Sequence, residues 1–502
     1  MADERRVPVN PMPLAGSATR FADRGGALDG GFVDRLRDVC GAVTVDEDAR
    51  TEAGRDWWPL AMMWARDGQT PARAGAIARP SSTEEVAAVL RTANDAGVPV
   101  TAMAGRSGVC GASVPVFGGV ALDLTGLDGI VGVDDDSLLL DVKPGTWGDT
   151  LEDDLRTRHG VTLGHWPQSI ALSTVGGWVA CRSAGQYSTR YGKIEDMVIG
   201  LEVALASGEV IRTGGRAPRS AVGPDLTQLF VGSEGTLGVI TEARLRVHPV
   251  PPEERRGAWS FASFEDGLEV CRRILRRGAT PAVLRLYDHR ESKRSFDLEG
   301  RHALIVLDEG DGVLADAVMK VVEDECRRVD GVERHDDELV ERWVHHRNEV
   351  SGLADAINRD VVVDTCEVAA RWSVLPALYR DAVAAVKAVP GAWVASAHQS
   401  HAYTDGACLY FTFAGQREGD GGAEQFYADA WEAVTRTTLA HGGALSHHHG
   451  IGLHRGRFME EALGSAFPTL AAVKATLDPK GILNPGKLGL PSPFGPASPW
   501  PT

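Results

Sequence analysis

A chain of 502 residues is too long for one ordinary core, and at roughly 150 residues per domain it divides into two to four units. Its 43% hydrophobic and 24% charged residues are the proportions of a soluble fold, and no apolar run approaches the roughly 18 residues needed to begin spanning a bilayer. The formal charge of -17 repels phosphodiester backbones and anionic headgroups alike, which argues against nucleic acid as a partner.

Residues 1–75 form an N-terminal segment. Met1 to Arg6 leads into no apolar signal core, so the expected location is the cytoplasm. Further on, Asp56-Trp57-Trp58-Pro59-Leu60-Ala61-Met62-Met63-Trp64 is an aromatic and Met-rich knot. It reads as a helical piece packed on the main body, with peripheral membrane contact as the alternative.

Residues 76–250 read as strands, a helix and glycine-rich loops. Ser82 or Thr83 is placed to cap a helix whose first turn carries Glu84 and Glu85 and which runs to Gly97. A strand through Val98–Met103 then delivers the chain to Gly105-Arg106-Ser107-Gly108-Val109-Cys110-Gly111. Glycines let backbone N–H groups approach an anion, so this loop is a candidate phosphate cradle. Two more glycine- and hydroxyl-rich loops follow, Ser173–Trp178 and Gly232–Thr241, separated by strand-like runs at Gly119–Leu124 and Met197–Ala206. No G-x-G-x-x-G with an acidic residue about 20 positions on is present, so the ligand is not held by a dinucleotide-binding βαβ unit.

Residues 251–440 alternate helical stretches (Phe264–Arg277, Val374–Ala388) with strands (Val283–Tyr287, Cys408–Phe413), the pattern of an α+β cap. A C-terminal segment, 441–490, precedes a Pro-rich tail at 491–502 that is expected to be loose. Seven scattered cysteines with no C-x-x-C pair read as reduced, mostly buried thiols. Three consecutive histidines, His447, His448 and His449, fall in the C-terminal segment of a chain with only 15. Imidazole titrates nearest neutrality, so such a trio suits proton movement or anion or metal binding.

Taken in order, Ser173–Trp178, Ile194-Glu195-Asp196, Gly223-Pro224-Asp225, Gly232–Glu242, Asp405–Tyr410 and Ser446–Gly450 resemble flavoproteins of the vanillyl-alcohol oxidase and p-cresol methylhydroxylase superfamily, and within it the alkyldihydroxyacetonephosphate synthases. The likeness covers residues 76–490. It implies an α+β fold: a two-subdomain FAD-binding domain of the p-cresol methylhydroxylase type, an α+β cap, and a C-terminal segment whose histidines close the active site. The cofactor implied is FAD. It would contact Met103, Ala104, Gly105, Arg106, Ser107, Gly108 and Val109, then Gln168, Ser169, Ser173, Thr174, Gly176 and Gly177. Cys181, Arg182, Ser183, Ala184, Glu234, Gly235, Thr236, Leu237, Gly238, Val239 and Ile240 would complete the contacts. No histidine occupies the loop where some relatives tether the flavin, so FAD is expected to be dissociable, with Cys110 a remote alternative tether. Arg106 stands where glycine is usual, so its side chain must turn outward, to a phosphate.

The resemblance implies a redox-neutral exchange, through a flavin adduct, of the acyl group of an acyl-dihydroxyacetone phosphate for a fatty alcohol. Tyr410 matches the acid/base tyrosine and stands 38 residues before His448, the family's register. His447, His448 and His449 match a phosphate-binding and proton-shuttling trio, and Arg285 an arginine near the leaving carboxylate. Arg359, Thr365 and His401 are assigned to substrate. A homodimer formed through the cap is implied by analogy. The competing reading is an FAD-linked oxidase or dehydrogenase of a 2-hydroxy acid, a sister group with a metal site built on cap histidines and a C-terminal glutamate. His401 and Asp405-Gly406 are present, but Tyr410 and His448 replace metal partners, and no metal is expected. His398 stands where the synthases carry arginine, which leaves the substrate open.

Overall fold

The computed structural model describes residues 10–14, 16–21, 28–215, 217–416 and 422–497. Residues 498–502 of the expected loose tail lie outside these, while Phe494 is docked against Phe117, with ring centroids 5.8 Å apart.

The first subdomain is built as its sequence dictates. The Ser82 hydroxyl accepts from the Glu85 amide, Thr83–Ala96 is helical, and Gly97 at φ +65° ends the helix. Val86, Val89, Leu90 and Ala93 recur at helical spacing, and all are buried against a four-stranded sheet in the order 43–44, 76–78, 120–123, 100–103. Strands 76–78, 120–123 and 100–103 run parallel. The second subdomain is a five-stranded antiparallel sheet in the order 210–214, 198–204, 239–246, 139–142, 130–134.

The N-terminal segment is not a separate unit. Its helix Gly30–Val39 buries Phe32 and Leu36 in the first subdomain, and Val43–Thr44 pairs with Ala76–Ala78. Its helix Pro59–Arg66 belongs instead to the cap core. Two apolar faces on one short segment find two different partners. The aromatic knot has no lipid-facing surface: Trp58 and Trp64 are buried, and their indole N–H groups donate to the Tyr427 hydroxyl (3.1 Å) and to Glu424 (2.6 Å).

The cap is a seven-stranded antiparallel sheet in the order 333–335, 253–261, 302–310, 283–287, 392–402, 406–415, 362–371. Strand alternation sorts its side chains. Leu284, Leu286, Leu409, Phe411 and Phe413 enter the core beneath helices Phe264–Arg276, Leu375–Lys387 and Gly422–Ala440, while Arg285, Tyr287, Tyr410 and Thr412 face the FAD-binding domain. A register shift between Gln399 and His401 breaks the alternation, so Ser400 and His401 both reach that side.

The C-terminal segment straps the halves together. Ala444 bridges Ala369 of the cap, and Leu483 bridges Val100 of the first sheet. Between them the buried Lys474 ammonium donates to Asp478 (2.5 Å) and to the carbonyls of Thr236 and Leu483 (both 2.7 Å), satisfying all three of its protons. All seven cysteines are free thiols, and six are buried. No described helix is long and apolar enough to cross a membrane.

Candidate active site

A cavity of about 940 Å³ lies between the FAD-binding domain and the cap. One wall is made of the three loops singled out in the sequence: Met103–Val109, Gln168 to Ala184, and Glu234 to Ile240. At Gly108 an added Cβ would meet nothing nearer than Asp56 Oδ2 at 3.7 Å, so that position leaves room for a ligand. Gly105 is the opposite case: a Cβ there would lie 2.4 Å from the Leu172 carbonyl and 3.2 Å from Ser173 Cα, so the absent side chain is what lets two cradle loops touch. The Thr174 hydroxyl and Asp56 Oδ2 are buried on this wall with no hydrogen-bond partner among the described residues. Backbone loops with open glycines and unsatisfied polar atoms fit a large polar cofactor such as FAD.

Gly105→Ala should therefore force the Leu172–Ser173 turn outward. The affinity for FAD, followed by quenching of flavin fluorescence in titrations of apoprotein, should fall by about 10- to 100-fold, the cost of overpacking a tight contact. An unchanged affinity would refute the assignment of this loop.

Several expected contacts are used otherwise. Arg106, at φ +52°, lines the cavity while its guanidinium donates to the Glu52 carbonyl. Arg182 is an exposed helix terminus facing Glu195 at 3.3 Å, and Thr236 and Leu237 are buried in packing, so these three do not line the cavity. Gln168 Nε2 donates to the Glu349 carbonyl of the cap, pinning the domains together. Cys110 is buried and does not line the cavity.

Glu234 reaches across to the histidine loop, where its carboxylate accepts from the amides of Ile451 (2.6 Å) and Gly452 (2.8 Å). Glu367, which sequence reading passed over, holds the same loop from the cap side. Its Oε1 accepts from the Ser446 hydroxyl (2.6 Å) and from the amides of His448 (3.0 Å) and His449 (2.5 Å), while Oε2 pairs with Arg455 at 2.5 Å. Glu367 and Arg455 are both fully buried. Burial alone would raise this carboxyl, but Arg455 and the adjoining histidines hold it well below the ordinary range.

Suspended this way, His448 and His449 line the cavity and His447 lies behind them, its ring stacked 4.7 Å from His401. A continuous chain of polar contacts links these groups. His448 Nδ1 meets His447 Nδ1 at 2.9 Å, His447 Nε2 meets the Tyr403 hydroxyl at 2.9 Å, and Tyr403 meets the Ser188 hydroxyl at 3.1 Å. Ser188 in turn meets His401 Nδ1 at 2.7 Å. Burial pushes every one of these imidazoles down, His447 to about 4, so the cluster is uncharged at neutral pH. It can relay a proton, but it offers an anion hydrogen bonds and no net charge. The nitrogens of His401, His447 and His448 lie within 4.8 Å of one another, a spacing that would also suit a divalent ion, although three neutral imidazoles lack the carboxylate that completes many such sites.

Tyr410 lies opposite, its hydroxyl accepting from Thr365 Oγ1 at 3.0 Å and its ring 6.0 Å from His448 and 5.6 Å from His449. The resemblance assigned Tyr410 an acid/base role, which an ionised phenol would fill as a base. Burial pushes its pKa up instead, so Tyr410 is a protonated donor at neutral pH. Arg285 lines the same cavity, buried and, among the described residues, with no carboxylate pairing it within 4 Å. Arg294, Arg342, His346 and Arg347 also line the cap wall, which sequence reading missed: three of them lie on helix surfaces with acidic partners three or four residues away, and nothing in that local pattern shows that the surface faces a cavity. Arg359 is not brought to the site: it is exposed at the end of the helix Gly352–Asn358, beside Asp360, which pairs with Arg66. Thr365 and His401 are in the cavity as expected.

A two-part FAD cradle closed by an antiparallel cap is a flavoprotein architecture. The chain matches the FAD binding domain model over residues 74–214 and the model for FAD linked oxidases, C-terminal domain, over residues 250–488. It is 31% identical to the FAD-linked oxidoreductase YgcU of Escherichia coli K12 (82% of this chain, 88% of that one) and 30% identical to the alkyldihydroxyacetonephosphate synthase of Dictyostelium discoideum (84% and 74%). It is 26% identical to the glycolate oxidase subunit GlcD of Bacillus subtilis (91% and 96%). Among solved structures, an alkyldihydroxyacetonephosphate synthase superposes with a TM-score of 0.78 at 26% identity (94% and 89% covered). p-Cresol methylhydroxylase shares the fold, with a TM-score of 0.73 at 18% identity (93% and 98%). The chain belongs to the FAD-linked oxidase family, and it is an FAD-dependent enzyme.

Proposed function

We propose that this enzyme catalyses an alkyldihydroxyacetonephosphate synthase-like exchange, in which the acyl group of an acyl-dihydroxyacetone phosphate is replaced by a fatty alcohol. The observation that carries the reading is the pairing, in one cavity, of a protonated phenol at Tyr410 with a neutral imidazole relay. Exchange is served by both: an O–H that hydrogen-bonds the departing carboxylate, which leaves as the anion, and an acceptor for the proton of the incoming alcohol. Oxidation of an alcohol needs only the acceptor. FAD, dissociable in this reading, supplies the electronic chemistry at the substrate carbon when bound. Arg285 on the cap wall binds the anionic end of the substrate, and the cap shields the reaction from water.

A second reading, oxidation of a 2-hydroxy acid, is favoured by the compact His401, His447 and His448 cluster and by the likeness to GlcD. One experiment separates them. Holoenzyme is incubated with palmitoyl-dihydroxyacetone phosphate and hexadecanol, and products are identified by mass; the ether lipid and free palmitate are expected. Anaerobic bleaching of the flavin by glycolate or D-lactate, with formation of the keto acid and reoxidation by an added acceptor, would overturn the exchange reading.

A further inference from the structure

Beside Tyr410 a buried chain of polar groups leads to Arg285, and its other members, Glu291 and His398, have no role so far. Glu291 Oε2 is 2.7 Å from His398 Nδ1, and His398 Nε2 is 2.8 Å from Arg285 Nη2. Glu291 Oε1 is occupied by the hydroxyls of Thr412 (2.8 Å) and Ser396 (3.0 Å), with Arg294 at 3.4 Å. The His398 ring is sandwiched between Tyr287 (5.1 Å, 23°) and Tyr410 (4.9 Å, 26°). Glu291, His398, Arg285, Tyr287 and Tyr410 all line the cavity.

The chemistry of the donors fixes the protons. A guanidinium can only donate, so His398 Nε2 must be the acceptor and the ring proton must sit on Nδ1, facing the Glu291 carboxylate. A protonated His398 would set N–H against N–H. Burial favours the same neutral state, holding His398 below its ordinary value. Arg285 Nε is engaged by the Tyr287 hydroxyl at 3.1 Å, Nη2 by His398, and Nη1 by no acceptor among the described residues. A buried guanidinium with no carboxylate in contact among the described residues is costly unless an anion completes it, and Arg285 lines the cavity, where a substrate carboxylate or phosphate can do so.

We propose that Glu291 and His398 are positioning residues: Glu291 fixes His398 as the Nδ1–H tautomer, and His398 holds one arm of Arg285 so that the free arm meets a carboxylate or phosphate of the substrate. Fixing the fork in advance removes side-chain entropy that binding would otherwise have to overcome. The inference rests on the proposed function only in taking the substrate to be anionic, which the exchange and the oxidation share.

The test uses the FAD-loaded protein. Inorganic phosphate and oxalate are titrated against wild type, His398→Phe, His398→Gln and Glu291→Gln, and binding is read from the flavin difference spectrum. Phenylalanine keeps the stack and removes both nitrogens, whereas glutamine restores an acceptor for Arg285. The expected result is saturable binding to wild type, weakened on the order of 10-fold in His398→Phe and Glu291→Gln and less in His398→Gln. Nitrogen-15 spectra of histidine-labelled wild type, assigned by the signal lost in His398→Gln, should show a neutral Nδ1–H ring at pH 7, a readout that does not depend on any variant being well folded. An Nε2–H or doubly protonated His398, affinities within twofold of wild type in His398→Phe, or no saturable anion effect on the wild-type flavin would each overturn the proposal. None of these outcomes bears on whether ether lipid forms, so the two readings fail separately.

Discussion

Tyr410→Phe should lower turnover by about 10²- to 10⁴-fold, the usual contribution of a positioned general acid, while leaving the flavin spectrum and FAD retention unchanged. The reason is local. The substitution removes one hydroxyl that accepts from Thr365 and lies 45 residues away from it along the chain, and it leaves in place the ring that stacks on His398 and faces His448 and His449. No cradle loop touches that hydroxyl through a hydrogen bond, so cofactor binding has no reason to change. The pH profile should also be informative. Because burial raises this phenol, the wild-type rate should persist well above neutral pH before the donor is lost, and Tyr410→Phe should lack that alkaline limb. A variant with wild-type turnover, measured on whichever substrate the product assay identifies, would remove Tyr410 from the chemistry.

Glu367→Gln should be the most destabilising single substitution at the site. It leaves the Arg455 guanidinium, 1% exposed, without its partner, and breaking a buried ion pair by removing one member costs about 3–5 kcal/mol. The same change weakens the acceptor for Ser446 and for the His448 and His449 amides, so the histidine loop should lose its position as well as its stability. The pH dependence follows from the direction of the shift. A carboxyl depressed in the folded state contributes stability that is fully present above its unfolded value of about 4.3 and is lost as the pH falls below it. Wild-type stability in denaturant should therefore drop on acidification below that point, and Glu367→Gln should show a flatter profile. Equal unfolding midpoints for the two proteins at pH 7 would show that the pair is not holding the loop. Replacing both partners, Glu367→Met with Arg455→Met, should recover much of the stability but not the loop's hydrogen bonds, which separates folding from positioning.

What could be read from the chain alone depended on how local the physics was. The helix Thr83–Ala96, with its serine cap and left-handed glycine stop, and the strand Val283–Tyr287 are set by neighbours in sequence. The glycine loops of the cradle were legible for the same reason, since an open backbone is a property of the residues themselves. Arg359 was misplaced because a short polar pair carries no information about which way a helix end faces. The N-terminal segment was misread as one unit because the sequence shows its apolar faces but not which surfaces cover them. Glu367, Glu291 and the cap arginines were missed altogether, since an isolated charge gives no local sign of whether it will be buried.

By itself, then, the sequence determined the secondary elements, the order of the domains, the glycine cradle and the residue types of the trio and Tyr410, all through interactions that reach only a few positions along the chain. The tertiary structure decided the environments and so the direction in which each group's protonation is pushed. Docking the cap on the cradle buries four imidazoles and a phenol together, and desolvation leaves the imidazoles neutral and the phenol protonated. It also sets Arg285 against a histidine 113 residues away, with no carboxylate pairing it within 4 Å among the described residues, which is the arrangement that the proposed anion contact would complete.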